Sequence, residues 1–251
     1  MGEEGEPKNY SEAISSEDST KWIAAMQEEV VSLLKNETWE LVKLAEGKRV
    51  ISCKWIFKRK EGIPGVESTR NKARFVVRGF DQEKGIDFNE VFSPVVRHTS
   101  IHILLALVAL YDLEMEQLDV KTAFLHGNLE EEIYIQQPEG FVVPGKENHV
   151  YRLKKSLYGL KQSPRQWYKR FDSFMVGSRS SYDNCVYFQK TSDGSFIYLL
   201  LYVDDMLIAA RDKSLVNKLK TQLSSEFDMK DLGPAKIILG IEINKVEICG
   251  L

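Results

Sequence analysis

The sequence is poor in cysteine, in glycine-rich loops and in long apolar stretches. Its three cysteines, Cys53, Cys185 and Cys249, lie far apart and outside any CxxC pair, which excludes a disulfide framework or a zinc ribbon and favours a reducing compartment. The longest nearly pure apolar runs, 103–110 and 197–203, are shorter than the roughly 18 residues of a membrane helix. No secretory signal is expected, because the first ten residues lack basic and apolar blocks. No phosphate loop of the Walker or dinucleotide type occurs.

Charge is distributed in blocks, although the formal net charge of the 251 residues is only −3. Residues 1–40 and 111–147 are strongly acidic, whereas residues 48–84 hold eleven Lys or Arg against four Asp or Glu. Residues 152–170 hold seven Lys or Arg and no acid. Two basic blocks around an acidic one suit a polyanion held beside a metal-binding centre. Solvated charged faces are the other interpretation that this pattern allows.

Apolar periodicity predicts helices and strands of an α+β fold, with helices packed against an antiparallel sheet. Residues 1–18 are expected to be an acidic, disordered leader to a domain over 19–245, with a truncated tail at 246–251. Helices are predicted from Ser19 to Asn36, over 101–111 as a buried helix, from Ser163, and over 215–227. Strands are predicted from Val50 and over 72–80, 115–120, 130–137, 184–190, 195–203, 206–210 and 236–244.

The sharpest local feature is the pair Asp204-Asp205, which lies between two apolar, β-prone runs. A surface hairpin turn is the simplest interpretation, since Asp is common in turns. The apolar flanks, however, predict a turn that emerges from a core sheet, where two carboxylates repel each other unless a cation lies between them. A divalent ion that prefers oxygen ligands meets that need.

Asp119 is a second candidate, at the end of the predicted strand 115–120. A strand-end aspartate can simply cap the turn that follows. With Asp204 and Asp205, however, it completes the carboxylates that a two-metal phosphoryl-transfer site needs, where the ions lie roughly 3.5–4 Å apart. Lys and Arg of the basic block 48–84 would then balance the charge of the transferring phosphate.

Other catalytic patterns have less support. His98 and His102 are spaced like two zinc ligands on a helix, but they lack the Glu of HExxH and an obvious third ligand. No Ser-His-Asp or Cys-His nucleophile motif is recognisable. The aromatic residues that follow Ser163 have helical spacing, so they are interpreted as helix core rather than as a base-stacking platform.

Eight blocks of the sequence carry a family resemblance. They are KNETWELV (35–42), ISCKWIFKRK (51–60), KARFVVRGFDQEKGIDFNEVFSPVVR (72–97), QLDVKTAFLHGNLEEEIYIQQPEGF (117–141), LKKSLYGLKQSPRQWY (153–168), YDNCVYF (182–188), LLYVDDMLI (200–208) and FDMKDLGPAKIILGIEI (227–243). In this order they resemble the reverse transcriptase domain of copia-type retrotransposons, part of a retrovirus-related Pol polyprotein of plant elements. SLYGLKQSPRQWY together with YVDD is close to a fingerprint of that family.

The resemblance implies a polymerase right hand with fingers and an antiparallel palm sheet packed on helices, and with the thumb largely missing. It implies an RNA-directed DNA polymerase that binds an RNA or DNA template-primer and dNTP and uses two Mg²⁺ ions, or Mn²⁺. Integrase and RNase H portions of a Pol polyprotein are expected partners absent from this chain, and no membrane partner is expected. The expected location is a cytoplasmic virus-like particle, if the chain is expressed.

By the same resemblance, Asp119, Asp204 and Asp205 match the catalytic, metal-binding carboxylates, and Val120 matches the residue whose carbonyl reaches the metal. Phe124 matches the aromatic residue under the incoming sugar, where a bulky ring leaves no room for a 2′-hydroxyl. The nucleotide site would also include several residues of the basic and SLYGLK blocks: Lys72, Arg74, Arg78, Tyr158, Gly159, Lys161 and Pro164.

Two later segments resemble parts of the family that act at the primer end. Lys230 lies in the region of the proton donor to pyrophosphate. The hairpin that positions the primer end is matched by Leu239, Gly240 and Ile241.

The sequence also departs from the family pattern. His102 occupies a position where the family usually has Arg, and the segment 175–185 is shorter than usual, which would disturb the palm helix. These departures, with the missing thumb, leave a second hypothesis open. The chain would then be a truncated, non-catalytic remnant that at most binds nucleic acid through its basic blocks.

Overall fold

The protein forms two compact units, each assembled from two separate stretches of chain. The computed structural model describes residues 6–60, 69–176, 180 and 182–243. The first unit comprises Met1–Phe92 and Phe124–Arg170, and the second comprises Ser93–Ala123 and Phe171–Leu251. Among the described residues, no helix is both long and apolar enough to cross a lipid bilayer.

Helices and strands are mixed along the described chain. The helices are α1 (Tyr10–Ser15), α2 (Ser19–Lys35), α3 (His98–Tyr111), α4 (Ser163–Phe174) and α5 (Lys213–Glu226), with 3-10 turns at Gly79–Asp81 and Ala123–His126. The strands are β1 (Trp39–Lys43), β2 (Val50–Ile51), β3 (Cys53–Lys60), β4 (Arg70–Val77), β5 (Glu114–Val120), β6 (Tyr134–Ile135), β7 (His149–Leu153), β8 (Val186–Lys190), β9 (Phe196–Tyr202), β10 (Asp205–Ala210), β11 (Met229–Pro234), β12 (Ile237–Ile238) and β13 (Ile241–Glu242).

The first unit contains a four-stranded sheet in the order β1-β7-β6-β2 and a separate antiparallel pair, β3–β4. Alternation along β3 buries Trp55 and Phe57 and leaves Lys54 and Lys58 exposed, so this pair has one apolar face. Helix α2 packs beside β4, and its Trp22 meets Phe57 edge-on at 5.4 Å between ring centroids. The predicted helix from Ser19 and the half-buried strand that begins at Val50 are confirmed, with a break at position 52.

The second unit is built on a five-stranded sheet in the order β11-β5-β10-β9-β8, in which every neighbouring pair is antiparallel. Helix α5 packs against β5 and β10 through a face that includes the buried side chains of Val216 and Leu223. The central strand β10 is buried from Met206 to Ala210. The prediction of mixed helices and antiparallel strands is therefore confirmed, and the sheet fixes the positions of the acidic residues described below.

The expected loose leader contains a helix, α1. Its N-terminus is capped by the Asn9 side chain, which accepts a hydrogen bond from the Glu12 amide at 2.9 Å, and Ala13 is fully buried in the core of the first unit. The expectation of disorder is therefore wrong for this stretch. It was based on average composition, which does not reveal a helix cap or a single buried side chain. Residues 1–5 and the tail at 246–251 lie outside the described residues, and the domain boundaries stay predictions.

Three element predictions differ from the structure. Helix α3 forms where it was expected, but it is largely exposed: Ile101 and Leu104 are its buried side chains, whereas Leu110 is 73% exposed. Within the expected strand 236–244, whose last residue is not described, β12 and β13 instead form a tight hairpin, because Leu239 and Gly240 both adopt positive φ. Of the expected strand 130–137, only β6 pairs among the described residues.

Candidate active site

Two of the three predicted aspartates face each other across neighbouring strands. Asp119 on β5 and Asp205 at the start of β10 are direct cross-strand partners. The Val120 amide donates a hydrogen bond to the Asp204 carbonyl at 2.8 Å, so this adjacent pair is the hydrogen-bonded one. The Asp119–Asp205 pair is then of the closer, non-hydrogen-bonded kind, with Cα atoms roughly 4.5 Å apart and both side chains on one face of the sheet.

The third aspartate, Asp204, lies in the two-residue turn that joins β9 to β10. Tyr202 pairs with Asp205 across this turn, so Val203 and Asp204 are its central residues. Val203 has a φ of 57°, in the left-handed region that glycine normally occupies. A β-branched residue in this conformation is strained, and such strain is concentrated at functional sites. The predicted turn that emerges from a core sheet is therefore present, and it holds Asp204 next to Asp205.

Electrostatic repulsion is built into this end of the sheet. Burial raises the pKa of the Asp205 carboxyl above its ordinary value, and the nearby Asp204 and Asp119 carboxylates raise it further. A hydrogen bond from the Gln117 amide nitrogen to Asp205 Oδ1, at 3.3 Å, acts in the opposite direction. The site therefore gains stability from any cation that reduces the repulsion among its acids.

Lys230 extends this group on the other side of Asp119. It lies on β11 directly opposite Asp119, just as Tyr202 lies opposite Asp205. Directly opposed residues share a face of the sheet, so one row crosses four strands. We call this row, which consists of Lys230, Asp119, Asp205 and Tyr202, the carboxylate row.

The donors available to a cation here are oxygen atoms. Three carboxylates from the row and the adjoining turn, together with backbone carbonyls, form a donor set that suits a hard divalent ion. Within the described ranges, no three His, Cys, Asp or Glu side chains are already gathered into a metal site. His98 and His102, the alternative ligand pair, are exposed on α3.

The first unit brings together three of the residues matched to nucleotide binding. The Phe124 and Tyr158 rings lie 5.1 Å apart between centroids, and the Arg74 guanidinium lies over the Tyr158 ring at 5.0 Å. Arg74 comes from β4, whereas the two aromatic residues come from distant parts of the chain. An arginine on an aromatic face is held by cation–π attraction while it keeps donors available for an anion.

Gly159 explains how Tyr158 is held against β4. The Val77 amide donates to the Tyr158 carbonyl at 2.8 Å, so the two backbones are in direct contact. Gly159 has a φ of 93°, and a Cβ atom there would lie 2.0 Å from the Val77 carbonyl oxygen. Only glycine fits this position, since any side chain would force the two segments apart.

The other residues matched to nucleotide binding take no part in the contacts among Phe124, Tyr158 and Arg74. Lys72 is half-buried on β4, and burial, with repulsion from Arg74 and Lys60, lowers its pKa. Arg78 is exposed just after β4. Lys161 is engaged within its own unit, where its ammonium donates to the Gln82 carbonyl at 3.1 Å and lies 4.8 Å from a neighbouring ring centroid.

Helix α4 and the last hairpin hold the remaining matched residues. Pro164 occupies the first turn of α4, as predicted. Leu239 and Gly240 form the turn of the β12–β13 hairpin, and Ile241 begins β13. The segment matched to the primer end is thus a hairpin of the second unit.

Sequence reasoning missed the polar residues that support the carboxylate row. Gln117, which bonds Asp205, lies two residues before Asp119, so the alternation of a strand could have placed both on one face. Glu116 and Lys220 form a buried ion pair on the other face, for which no local sequence signal exists. Strand β11 was also missed, because its short run with Gly233 and a terminal proline has little β propensity.

Comparison with known proteins agrees with the earlier resemblance. The family model "Reverse transcriptase (RNA-dependent DNA polymerase)" matches residues 36–249. The retrovirus-related Pol polyprotein from transposon TNT 1-94 of Nicotiana tabacum is 57% identical over 97% of this chain, and that from transposon RE1 of Arabidopsis thaliana is 36% identical over 98%. The transposon Ty1-NL2 Gag-Pol polyprotein of Saccharomyces cerevisiae is 33% identical over 93% of the chain.

These matches cover the chain almost completely but only part of each relative. The chain spans 18%, 17% and 14% of the length of the three polyproteins. The matched region of the family model includes the whole carboxylate row and the Phe124–Tyr158–Arg74 group. The chain therefore belongs to the reverse transcriptase (RNA-dependent DNA polymerase) family, as a domain of the kind found in retrovirus-related Pol polyproteins of transposons.

Proposed function

We propose that this chain is the catalytic part of an RNA-directed DNA polymerase, which adds a deoxynucleotide to the 3′-hydroxyl of a primer on a template strand. The first unit would supply the fingers and the second unit the palm. The observation that carries the proposal is the carboxylate row, where Asp119 and Asp205 oppose each other and Asp204 occupies the adjoining turn. Three acids from two distant stretches of sequence meet at one end of one sheet, as a phosphoryl-transfer site requires.

The residues present fit divalent metal ions. Asp119, Asp204 and Asp205, with the Val120 carbonyl, would hold two Mg²⁺ or Mn²⁺ ions, which members of this family generally use. The fit is supported by the all-oxygen donor set and by the repulsion that raises the pKa of Asp205. When bound, such ions supply activation of the primer hydroxyl and stabilisation of charge on the transferring phosphate.

The protein groups around the row would orient the reaction. In nucleotide addition, the primer 3′-oxygen forms a bond to the α-phosphorus while the bond to the pyrophosphate oxygen breaks. The Gln117 amide holds Asp205 in one orientation through its hydrogen bond. Lys230, opposite Asp119, would give a proton to the departing pyrophosphate and regain one from water.

The first unit would bind the incoming nucleotide. Arg74 would contact the triphosphate, with Lys72 and Arg78 as further cations, because guanidinium groups match phosphate geometry. Phe124, in contact with Tyr158, would lie under the sugar and exclude a 2′-hydroxyl by its bulk. Gly159 and Lys161 would support this group from the loop that follows Tyr158, and the hairpin at 239–241 would position the primer end.

The test is primer extension on an RNA template with the Asp204→Asn variant. We expect a loss of about three orders of magnitude or more, since the change removes a carboxylate that would hold the divalent ions, and those ions would stabilise the charge on the reacting phosphate. Asp193→Asn is a matched control, because Asp193 lies in the hairpin turn between β8 and β9, at the other end of β9. Undiminished activity of Asp204→Asn would refute the proposed site.

A second candidate function is nucleic-acid binding without catalysis. On β3 and β4, Lys58 lies directly opposite Lys72, and Lys60 lies opposite Arg70. Like charges in opposed positions are unfavourable unless an anion neutralises them, so this face favours a phosphate backbone. Affinity that falls steeply with salt, in the absence of dNTP incorporation, would support this candidate. Robust polymerisation by the 251-residue chain would exclude it.

A further inference from the structure

A buried ion pair lies behind the carboxylate row. Glu116 on β5 and Lys220 on α5 are hydrogen-bonded to each other, and both residues are nearly inaccessible to solvent. The Lys220 ammonium also lies 2.6 Å from Asp231 Oδ2 on β11. Lys220 therefore ties together the strand that carries Asp119, the strand that carries Lys230, and the helix behind them.

Lys220 is held in its charged form by these contacts. Burial opposes the charge, but the hydrogen bonds to Asp231 and Glu116 outweigh it and raise the pKa of Lys220 above its ordinary value. Most surface ion pairs contribute little, because water screens them and both side chains lose freedom. The Lys220 side chain is only 11% exposed, so water screens its ion pairs less than it screens pairs between two exposed side chains.

The contact to Asp231 determines which way β11 faces. Asp231 pairs with Leu118 and Lys230 pairs with Asp119, so the two neighbours on β11 point to opposite faces of the sheet. Asp231 points to the side of α5, and Lys230 points to the side of the carboxylate row. A slip of one residue would exchange them and remove Lys230 from Asp119.

Strand β11 is open to such a slip. It is the edge strand of the sheet and pairs on one side with β5 alone among the described strands. Its register shifts between Asp231 and Gly233, so the regular pairing is interrupted just beyond Asp231 and resumes at Gly233 in a shifted register. In some proteins, buried polar groups fix the register where apolar packing permits alternatives.

We propose that Lys220 and Asp231 are positioning residues that fix the register of β11 and thereby hold Lys230 beside Asp119. The inference rests on the proposed polymerase function, in which Lys230 gives a proton to the departing pyrophosphate. Neither residue touches the reacting atoms. Both act through Lys230.

Asp231→Asn is the sharpest variant, because it removes the charge from the link between Lys220 and β11 and leaves the buried Glu116–Lys220 pair intact. The Asp231 side chain is 58% exposed, so the unit should still fold. Hydrogen exchange of the chain without nucleic acid should show β11 amides exchanging at least about tenfold faster, with β9 and β10 unchanged. Retained protection of β11 would overturn the proposal.

Primer extension supplies the second measurement. Lys230→Ala should lower kcat by about a hundredfold, as expected for loss of a general acid. Asp231→Asn should lower kcat about tenfold with an unchanged KM for dNTP, and Asp231→Glu should restore it. In the Lys230→Ala background, Asp231→Asn should have no further effect, since both act on one step. Independent losses that multiply would overturn the proposal.

The control is Lys213→Met. Lys213 also contacts Glu116, at 3.4 Å, but it is exposed, and its ion pair in this network is with Glu116 on β5. In this variant, the exchange rates of the β11 amides and the kcat should both stay within about twofold of the values for the unchanged chain. If the unchanged chain shows no polymerisation at all, the proposed function fails, and the exchange of β11 in Asp231→Asn alone decides whether the register depends on this contact.

Discussion

Replacing Val203 with glycine should stabilise the second unit and at the same time weaken catalysis. Val203 is the first central residue of the turn between β9 and β10, with a φ of 57°. Glycine adopts this conformation without steric cost, whereas a β-branched side chain does not. The Val203 side chain is 37% exposed, so its removal loses less stabilisation than the removal of a fully buried valine side chain would.

The expected gain follows from opposing contributions. Relief of the left-handed conformation is worth about 1–3 kcal/mol. Glycine loses more backbone freedom on folding, which offsets about 0.5–1 kcal/mol, and lost side-chain contacts offset part of the remainder. A net gain of about 1 kcal/mol should raise the midpoint of thermal unfolding by roughly 2–4 °C.

Thermal and urea unfolding measure this change, and Val203→Ala is the control. Alanine keeps Cβ, and with it much of the steric conflict, so it should gain less than glycine. If Val203→Gly is less stable than the unchanged chain, the valine contacts outweigh the strain and the reasoning fails. Primer extension should be slower in Val203→Gly, because a looser turn holds Asp204 less firmly.

Three further predictions concern other parts of the molecule. Gly159→Ala should yield no soluble folded protein, as judged by expression and circular dichroism, because its Cβ would lie 2.0 Å from a β4 carbonyl oxygen. Gly145 also has a positive φ but has open space around it, so Gly145→Ala should lower the free energy of unfolding by only about 1 kcal/mol. Burial opposes ionisation of Asp183, but hydrogen bonds from two backbone amides and a serine hydroxyl outweigh this effect and lower the pKa of Asp183 below the ordinary 3.8. The ionised Asp183 therefore stabilises the fold above pH 3.8, and this stabilisation is lost as the pH falls through the pKa of the folded state. Urea unfolding should therefore show Asp183→Asn most destabilised relative to the unchanged chain above about pH 4, with the gap closing in more acidic buffer, and a gap independent of pH would contradict this. Phe124→Ala should raise incorporation of ribonucleotides relative to deoxynucleotides in single-nucleotide extension, and an unchanged ratio would show that another group excludes the 2′-hydroxyl.

The positions of the acids could be predicted from sequence because each lies in a strong local pattern. Apolar runs on both sides of Asp204 and Asp205 specify two strands and the turn between them. The apolar residues Leu118 and Val120 on either side of Asp119 specify the end of a strand that is buried on one face. What these patterns could not specify was register: the direct pairing of Asp119 with Asp205 depends on how β5 and β10 align, a tertiary property.

Supporting residues were harder to predict. Lys220 reads as one more polar residue on an amphipathic helix, and its burial follows from Glu116, about a hundred residues earlier in the chain. Lys230 could be assigned by resemblance alone, since its strand has weak propensity. The exposure of α3 was misjudged because hydrophobicity measures the tendency to be buried, whereas the presence of a neighbouring surface depends on the rest of the fold.

Helix α3 has a practical consequence for anyone who handles this polypeptide. From Thr99 to Tyr111 it contains no charged side chain, yet Ile103, Leu110 and Tyr111 are each at least 60% exposed. Such an apolar, uncharged surface promotes aggregation as the protein concentration rises. Charged substitutions at the exposed Ile103 and Leu110 should keep purified samples dispersed.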